Sequence, residues 1–268
     1  MVRKITLLAV CLVCVLGFFT ACGEAEDAGA MAEAEAERAA QLEAIEEADA
    51  ELNAKAERIA EINAQLSPAP AEEGEEVEAL TAEERAALRE ELAAAKDEYY
   101  EAAFETGNLA AEFVNTSGLA EGEEMPEDVR RAIEIKSDAD IAMAQEHIEK
   151  GGDYPKAISI YDTALLLDPE NEKLLQAKEE AENARWMTED RFTLAKEGMT
   201  EAEVRSTVGP PLTQNIQEYP DKQAKAWFYK KGEDGSAAAI YFRQKNDGPY
   251  LVYQTDFNAV KARGAEEG

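Results

Sequence analysis

The sequence predicts a mainly α-helical protein that ends in a small α+β domain. Three observations carry that expectation. Ala supplies 50 of the 268 residues, a strong helix former that buries little area. Large apolar residues recur every seven positions from Ile45 to Leu66. Aromatic residues gather at the other end: none lies between Gly23 and Glu98, whereas 10 of 19 fall in 187–263. Charge divides the chain in the same way. Residues 24–80 carry 18 acids and 3 bases, residues 81–186 carry 27 and 11, and residues 187–263 carry 11 of each. Acidic, solvated helices therefore precede a neutral, core-forming domain. The net charge of −31 excludes a basic nucleic-acid groove and argues against electrostatic docking on an anionic membrane surface.

Residues 1–21 read as a targeting signal. Arg3 and Lys4 open it, Ile5 to Phe19 is an apolar run at the short end for a spanning helix, and Phe19-Thr20-Ala21-Cys22 closes it. Ala21 and Cys22, followed by the polar acidic tether 22–30, resemble a bacterial lipobox, with Phe19 where Leu is usual. The resemblance implies cleavage before Cys22, lipidation of its thiol, and attachment to a membrane through that lipid. Gly23 in place of an Asp implies the outer membrane, facing the periplasm. Cys11 and Cys14 leave with the signal, so no disulfide or thiolate metal site is expected, and no cofactor or metal.

From Met31 to Leu66, 12 of 36 residues are Ala and none is Gly or Pro. Ile45, Leu52, Ile59 and Leu66 form the seam of a weak coiled coil, interrupted at Asp49, Ala56 and Asn63. Such a helix is about 50 Å long. The seam can pair with other copies through 31–66 or fold back on the next helix, and acid repulsion argues against a tightly packed bundle. Ser67-Pro68-Ala69-Pro70 starts a linker over 67–80. Thr81 and Glu84 form a capping box that opens a helix over 81–106. Residues 107–126, beginning at Gly107, read as an irregular connection before Pro126 restarts a helix.

Residues 127–186 read as a helical region. Within it Gly152-Asp153-Tyr154 is a turn; Ala157 and Ala164 are small where helices approach, Tyr161 fills between them, and Pro169 stops the second helix. With Lys156-Ala157-Ile158, Leu167-Asp168-Pro169 and Asn171, these residues resemble a single tetratricopeptide repeat over Asp138–Asn171. The departures are Ile141 and Gln145 in the first helix. A lone repeat cannot build a concave peptide groove, so a purely structural hairpin and a peptide-binding module both stand. His147, the only histidine, lacks any His or Cys partner in the sequence and reads as an ordinary helix residue.

The domain 187–263 precedes a tail at 264–268. A short helix over 192–197 ends at Gly198 in a left-handed conformation. Thr200 caps the next helix with Glu203, Met199 staples onto Val204, and Gly209 with Pro210-Pro211 ends it. Three strands follow at 225–229, 237–242 and 250–255, with Trp227 and Tyr229 on one face, as are Ile240 and Phe242. The expected unit is two short helices and a three-stranded antiparallel meander. Gly198-Met199-Thr200, Val204, Gly209, Pro211-Leu212, Trp227-Phe228-Tyr229 and Phe242 together resemble the SmpA/OmlA (BamE-like) family of outer-membrane lipoproteins. That resemblance implies an accessory role in barrel assembly and protein partners in the envelope. It covers under a third of the chain, and the domain starts roughly 165 residues after Cys22, where the family places it close behind the lipid.

No nucleophile motif, His pair or phosphate-cradling Gly loop is present, so an enzyme is not expected. The reading is a lipid-anchored envelope scaffold or adaptor whose exposed contacts are Tyr219, Tyr229, Lys230, Lys231 and Tyr253. Two alternatives stand beside it: a spacer or coat protein of self-associating helices, and an inhibitor-like regulator of an envelope enzyme.

Overall fold

The computed structural model describes residues 23–67, 80–118 and 124–262, with side chains described from residue 31. The signal, Cys22, linker residues 68–79 and the tail lie outside the described residues. The chain divides into two units, 1–40 and 41–268. The described part of the first is helix, the start of α1 (Gly23–Leu66). Everything below concerns the second unit.

Here α1, α2 (Ala82–Thr116) and α3 (Glu127–Gly151) pack together. Ile45 joins Ala110, Phe113, Val129 and Ala132, and Leu52 joins Ala102, Ala103, Ala139 and Ala142. The α2 partners fall in sequence as α1 rises, and the α3 partners rise, so α1 runs antiparallel to α2 and parallel to α3. The seven-residue seam is thus covered within the chain, with Ile45 and Leu52 buried. Two features hold these helices together despite the acid content. Alanines and Gly107 let α2 and α3 approach closely. The few cations lie between helices: Lys55 reaches Glu98, Arg58 pairs with Glu91, and Arg131 reaches both Glu46 and Asp49. Asp49, an interruption when the seam is read alone, is buried and accepts from Arg131 Nη2 at 3.1 Å.

Thr81 and Glu84 form the expected capping box of α2. The helix then continues ten residues beyond its expected end at 106, so 107–116 is helical and not an irregular connection. Gly107 is the reason for the difference. A Cβ there would stand 3.4 Å from Ala139 Cβ, so this glycine allows α2 to approach α3 and does not break the helix. Ser117 and left-handed Gly118 mark the end instead.

A hairpin follows. Gly152 ends α3 with φ +61°, and Asp153 caps α4 (Tyr154–Ala164) by accepting from Lys156 N. Ala157, Tyr161 and Ala164 are buried with Ala144, Leu174 and Ala181. Pro169 is not the stop. The helix ends at Ala164, where Leu166 N turns to Thr163 O in a tighter i→i−3 bond. Asn171 then caps α5 (Glu172–Ala184) and also donates to Asp168.

The C-terminal part has two short helices and four strands, one more than expected. The first helix, α6 (Glu189–Phe192), is capped by Thr188 and ends where the predicted helix over 192–197 begins, so 193–197 is turn and irregular chain, not helix, and Gly198 does not end a helix. Gly198 is left-handed at φ +88°, and Thr200 with Glu203 forms the capping box of α7 (Glu201–Thr207). Strands β1 (Ile216–Tyr219), β2 (Ala224–Lys230), β3 (Ala237–Gln244) and β4 (Tyr250–Val260) form an antiparallel sheet in chain order. Strand β1 escaped prediction because it is four residues long, carries Gln217 and Glu218, and ends at a proline. Strand β4 runs past Thr255 to Val260, with one register shift at Tyr253 and a second between Asp256 and Val260. One sheet face holds Trp227, Tyr229, Ala238, Ile240, Phe242 and Val252 against Phe192, Val204 and Val208 of the helical segment, with Met199 packed alongside. The Trp227 and Phe242 rings are 4.5 Å apart.

The hairpin and this domain meet at Gly152. A Cβ at Gly152 would lie 2.6 Å from both C and O of Pro211 and 2.7 Å from Pro210 O. Met187 N donates to Lys230 O at 2.8 Å, adding a backbone bond between the segment after α5 and the sheet.

Two predictions follow from this packing. Gly152→Ala combines a left-handed penalty with a backbone clash and should cost about 2–4 kcal/mol in urea unfolding. Gly198→Ala, also left-handed but with open space around the added carbon, should cost about 1–2 kcal/mol. Equal losses would refute the close approach at Gly152. The second prediction concerns pH. The Glu203 carboxylate accepts from Thr200 N–H at 2.7 Å, which together with the Thr200 hydroxyl holds its pKa below the ordinary value. A lowered folded pKa stabilises above the unfolded value and is lost as pH falls through the folded one. Glu203→Gln should therefore lower the thermal midpoint at pH 7, and the gap to wild type should close as pH falls below the ordinary carboxylate range.

Candidate partner-binding face

The opposite face of the sheet follows from alternation and register. One row runs across all four strands as Tyr219, Ala224, Arg243 and Leu251; the next is Gln217, Ala226, Tyr241 and Gln254. Beyond β1 the rows continue as Phe228, Ala239 and Asp256, then Lys230, Ala237 and Val260. The inner two strands thus carry four alanines, each shielded by larger neighbours, and the tyrosines, Arg243 and Leu251 form the contacting surface.

Tyr253 is the extra residue of a bulge, between the partners of Tyr241 and Phe242. The bulge places it on this face: its ring is 6.3 Å from that of Tyr241, and Arg243 Cζ lies 4.3 Å over it. Tyr219 caps the row from β1, its hydroxyl donating to Gln217 Oε1 at 2.6 Å, with Lys222 over its ring. Burial, with the Asp256 carboxylate and the neighbouring tyrosines Tyr219 and Tyr253, pushes the Tyr241 phenol pKa up. Planar rings, one guanidinium and an exposed Leu are a composition suited to protein contact.

Of the five residues predicted to meet a partner, Tyr219, Lys230 and Tyr253 lie on this face. Tyr229 is a correction. It is 6% exposed, on the core side, and its hydroxyl donates to Gly209 O at 3.0 Å. Lys231 is engaged in the β2–β3 turn region, donating to Asn258 Oδ1 at 2.7 Å and lying over the Phe257 ring. Tyr241, Arg243 and Leu251 were missed. The first two alternate with the core residues Ile240 and Phe242 and Leu251 alternates with core Val252, and that alternation was the available signal.

Strand edges bear on what can dock. The start of β4 is already bridged by the segment before α7: Gly198 N donates to Val252 O and Val252 N to Met199 O. That cover blocks strand addition at this end and leaves the face as the accessible surface. Among the described residues no group of three His, Cys, Asp or Glu converges to hold a metal, and no helix is long and apolar enough to cross a membrane. No protein-family model matches this chain, and neither a curated protein nor a solved structure is significantly similar to it.

Proposed function

We propose that this chain is a non-catalytic scaffold of the bacterial cell envelope, held to the outer membrane by lipid on Cys22, that docks a protein partner on the open face of its C-terminal sheet. One observation carries the docking part: the two cross-strand rows that set Tyr219, Tyr241, Arg243, Tyr253 and Leu251 on the side of the sheet away from its core. The lipid anchor rests on the sequence alone, on Ala21-Cys22 behind a basic and apolar segment. The barrel-assembly machinery is the proposed partner, on the resemblance of the C-terminal motif. The acidic helical bundle and hairpin act as the stem that presents this face.

Two measurements test the proposal. Metabolic labelling with a fatty-acid analogue should mark the wild type and not Cys22→Ser; absence of label in both removes the anchor. Co-purification from crosslinked envelopes should recover barrel-assembly subunits, and Tyr219→Ser with Leu251→Asp should lower that recovery about tenfold or more. Both residues are more than a third exposed, at 39% and 37%, so unfolding stability should change by only about 0.5 kcal/mol each. Recovery without any barrel-assembly subunit rejects that partner.

A further inference from the structure

A second recognition feature lies where the hairpin meets the sheet, and it does not depend on the docking role proposed above. The edge of β2 beyond β1, at Phe228–Lys230, faces Tyr154 at the start of α4, the Arg185–Met187 segment and Leu212. Between them is a cleft of about 90 Å³.

Its chemistry differs from the rest of the chain. The lining contains Arg185, Arg191 and Lys230 and, among the described residues, no Asp or Glu, in a protein with 58 acids and 27 bases. The three cations are not equivalent. Arg191 is committed to the backbone: Nη1 donates to Ala184 O at 2.8 Å and Nη2 to Trp186 O at 3.2 Å. Lys230 is exposed at the rim. Arg185 stacks on Trp186, its Cζ 4.5 Å from the ring centroid, and its Nε is buried with no protein acceptor. The nearest carboxylate, Glu233, is 3.7 Å from Nη2 and is 85% exposed, so solvent screens it. The Nε itself is closed off from the cleft, so a ligand meets this guanidinium through its terminal N–H groups, whose planar fork suits a carboxylate. The remaining wall is apolar and aromatic, including Trp186, Phe228 and Leu212.

Volume narrows the ligand. The cleft is well below the roughly 300–1,000 Å³ of sites for drug-sized ligands, which rules out a nucleotide or an oligosaccharide. It matches a single aliphatic side chain. We infer that this cleft binds a small apolar carboxylate, its carboxylate at Arg185 and Lys230 and its branched carbon chain against Trp186, Phe228 and Leu212. Two sources carry that chemistry: a free short-chain organic acid, and the C-terminal residue of a polypeptide.

The test uses the full chain with 4-methylpentanoate, N-acetylleucine and their two amides, read by saturation-transfer NMR and by fluorescence, to which Trp186 contributes. At least one acid should bind saturably, with its amide at least tenfold weaker. Stronger binding of N-acetylleucine assigns the site to a chain terminus; stronger binding of 4-methylpentanoate assigns it to a free acid. Arg185→Gln should weaken the acid at least tenfold. Lys230→Gln, at an exposed position that leaves the fold intact, should weaken it severalfold. Amides that bind as well as the acids, no binding of either acid, or unchanged affinity in the Lys230→Gln chain would each overturn the inference.

Discussion

The backbone contact of Gly152 with Pro210 and Pro211 is the constraint on which the rest of the molecule depends. It sets the end of α3 against the loop that follows α7, closer than any side chain allows. Three further ties converge there. Arg191 holds the carbonyls of Ala184 and Trp186, Met187 N bonds Lys230 O, and the Tyr229 hydroxyl reaches Gly209 O. The first ties α6 to the end of α5, the second ties the segment after α5 to β2, and the third ties β2 to the loop after α7. The helical hairpin is therefore fastened to one end of β2, which leaves the far face of the sheet open and forms the basic cleft at the seam. The same glycine that permits the turn also permits this seating, so a local feature of a hairpin fixes the relation of two cores.

The acidic helices hold together by distributing very few cations well. Residues 31–66 contain only Arg38, Lys55 and Arg58 as bases, and the last two both reach acids on α2. Arg131 on α3 reaches back to α1. Exposed pairs of this kind contribute about 0–1 kcal/mol each. Their main effect is to relieve repulsion where helices meet. Cohesion comes from the apolar contacts of Ile45, Leu52, Phe113 and Ile133 and from alanines that let backbones approach. Of the seven-residue seam, Ile45 and Leu52 are buried within the chain, whereas Ile59 and Leu66 are half-buried.

Much of this was legible in the sequence wherever the information was local. The two capping boxes, Thr81–Glu84 and Thr200–Glu203, the left-handed turns at Gly152, Gly198 and Gly209, and the alternation that buries Trp227, Ile240 and Phe242 all depend on neighbours a few positions away. What escaped prediction depended on distant residues. Gly107 reads as a breaker until Ala139 stands beside it. Tyr229 reads as a rim aromatic until Gly209 O takes its hydroxyl. Tyr253 takes its side of the sheet from a bulge that has no composition signal. The cleft is assembled from four separate stretches of chain, so no motif announces it.

Charge explains why a −31 chain can still hold an anion site. In water at physiological salt, charges beyond about 8 Å are largely screened, so acids on distant helices contribute little at the cleft. At 4 Å and an effective dielectric near 20, one cation is worth about 4 kcal/mol before desolvation. Three cations in the lining, against the single solvent-exposed carboxylate of Glu233 beside Arg185, therefore set the local sign, whatever the total. The same reasoning applies to the sheet face. Its domain carries equal numbers of acids and bases, so in the proposed docking role recognition falls to rings, shape and one guanidinium, while net charge on the acidic helices favours their solvation. Solubility and specificity are thereby assigned to different parts of one polypeptide.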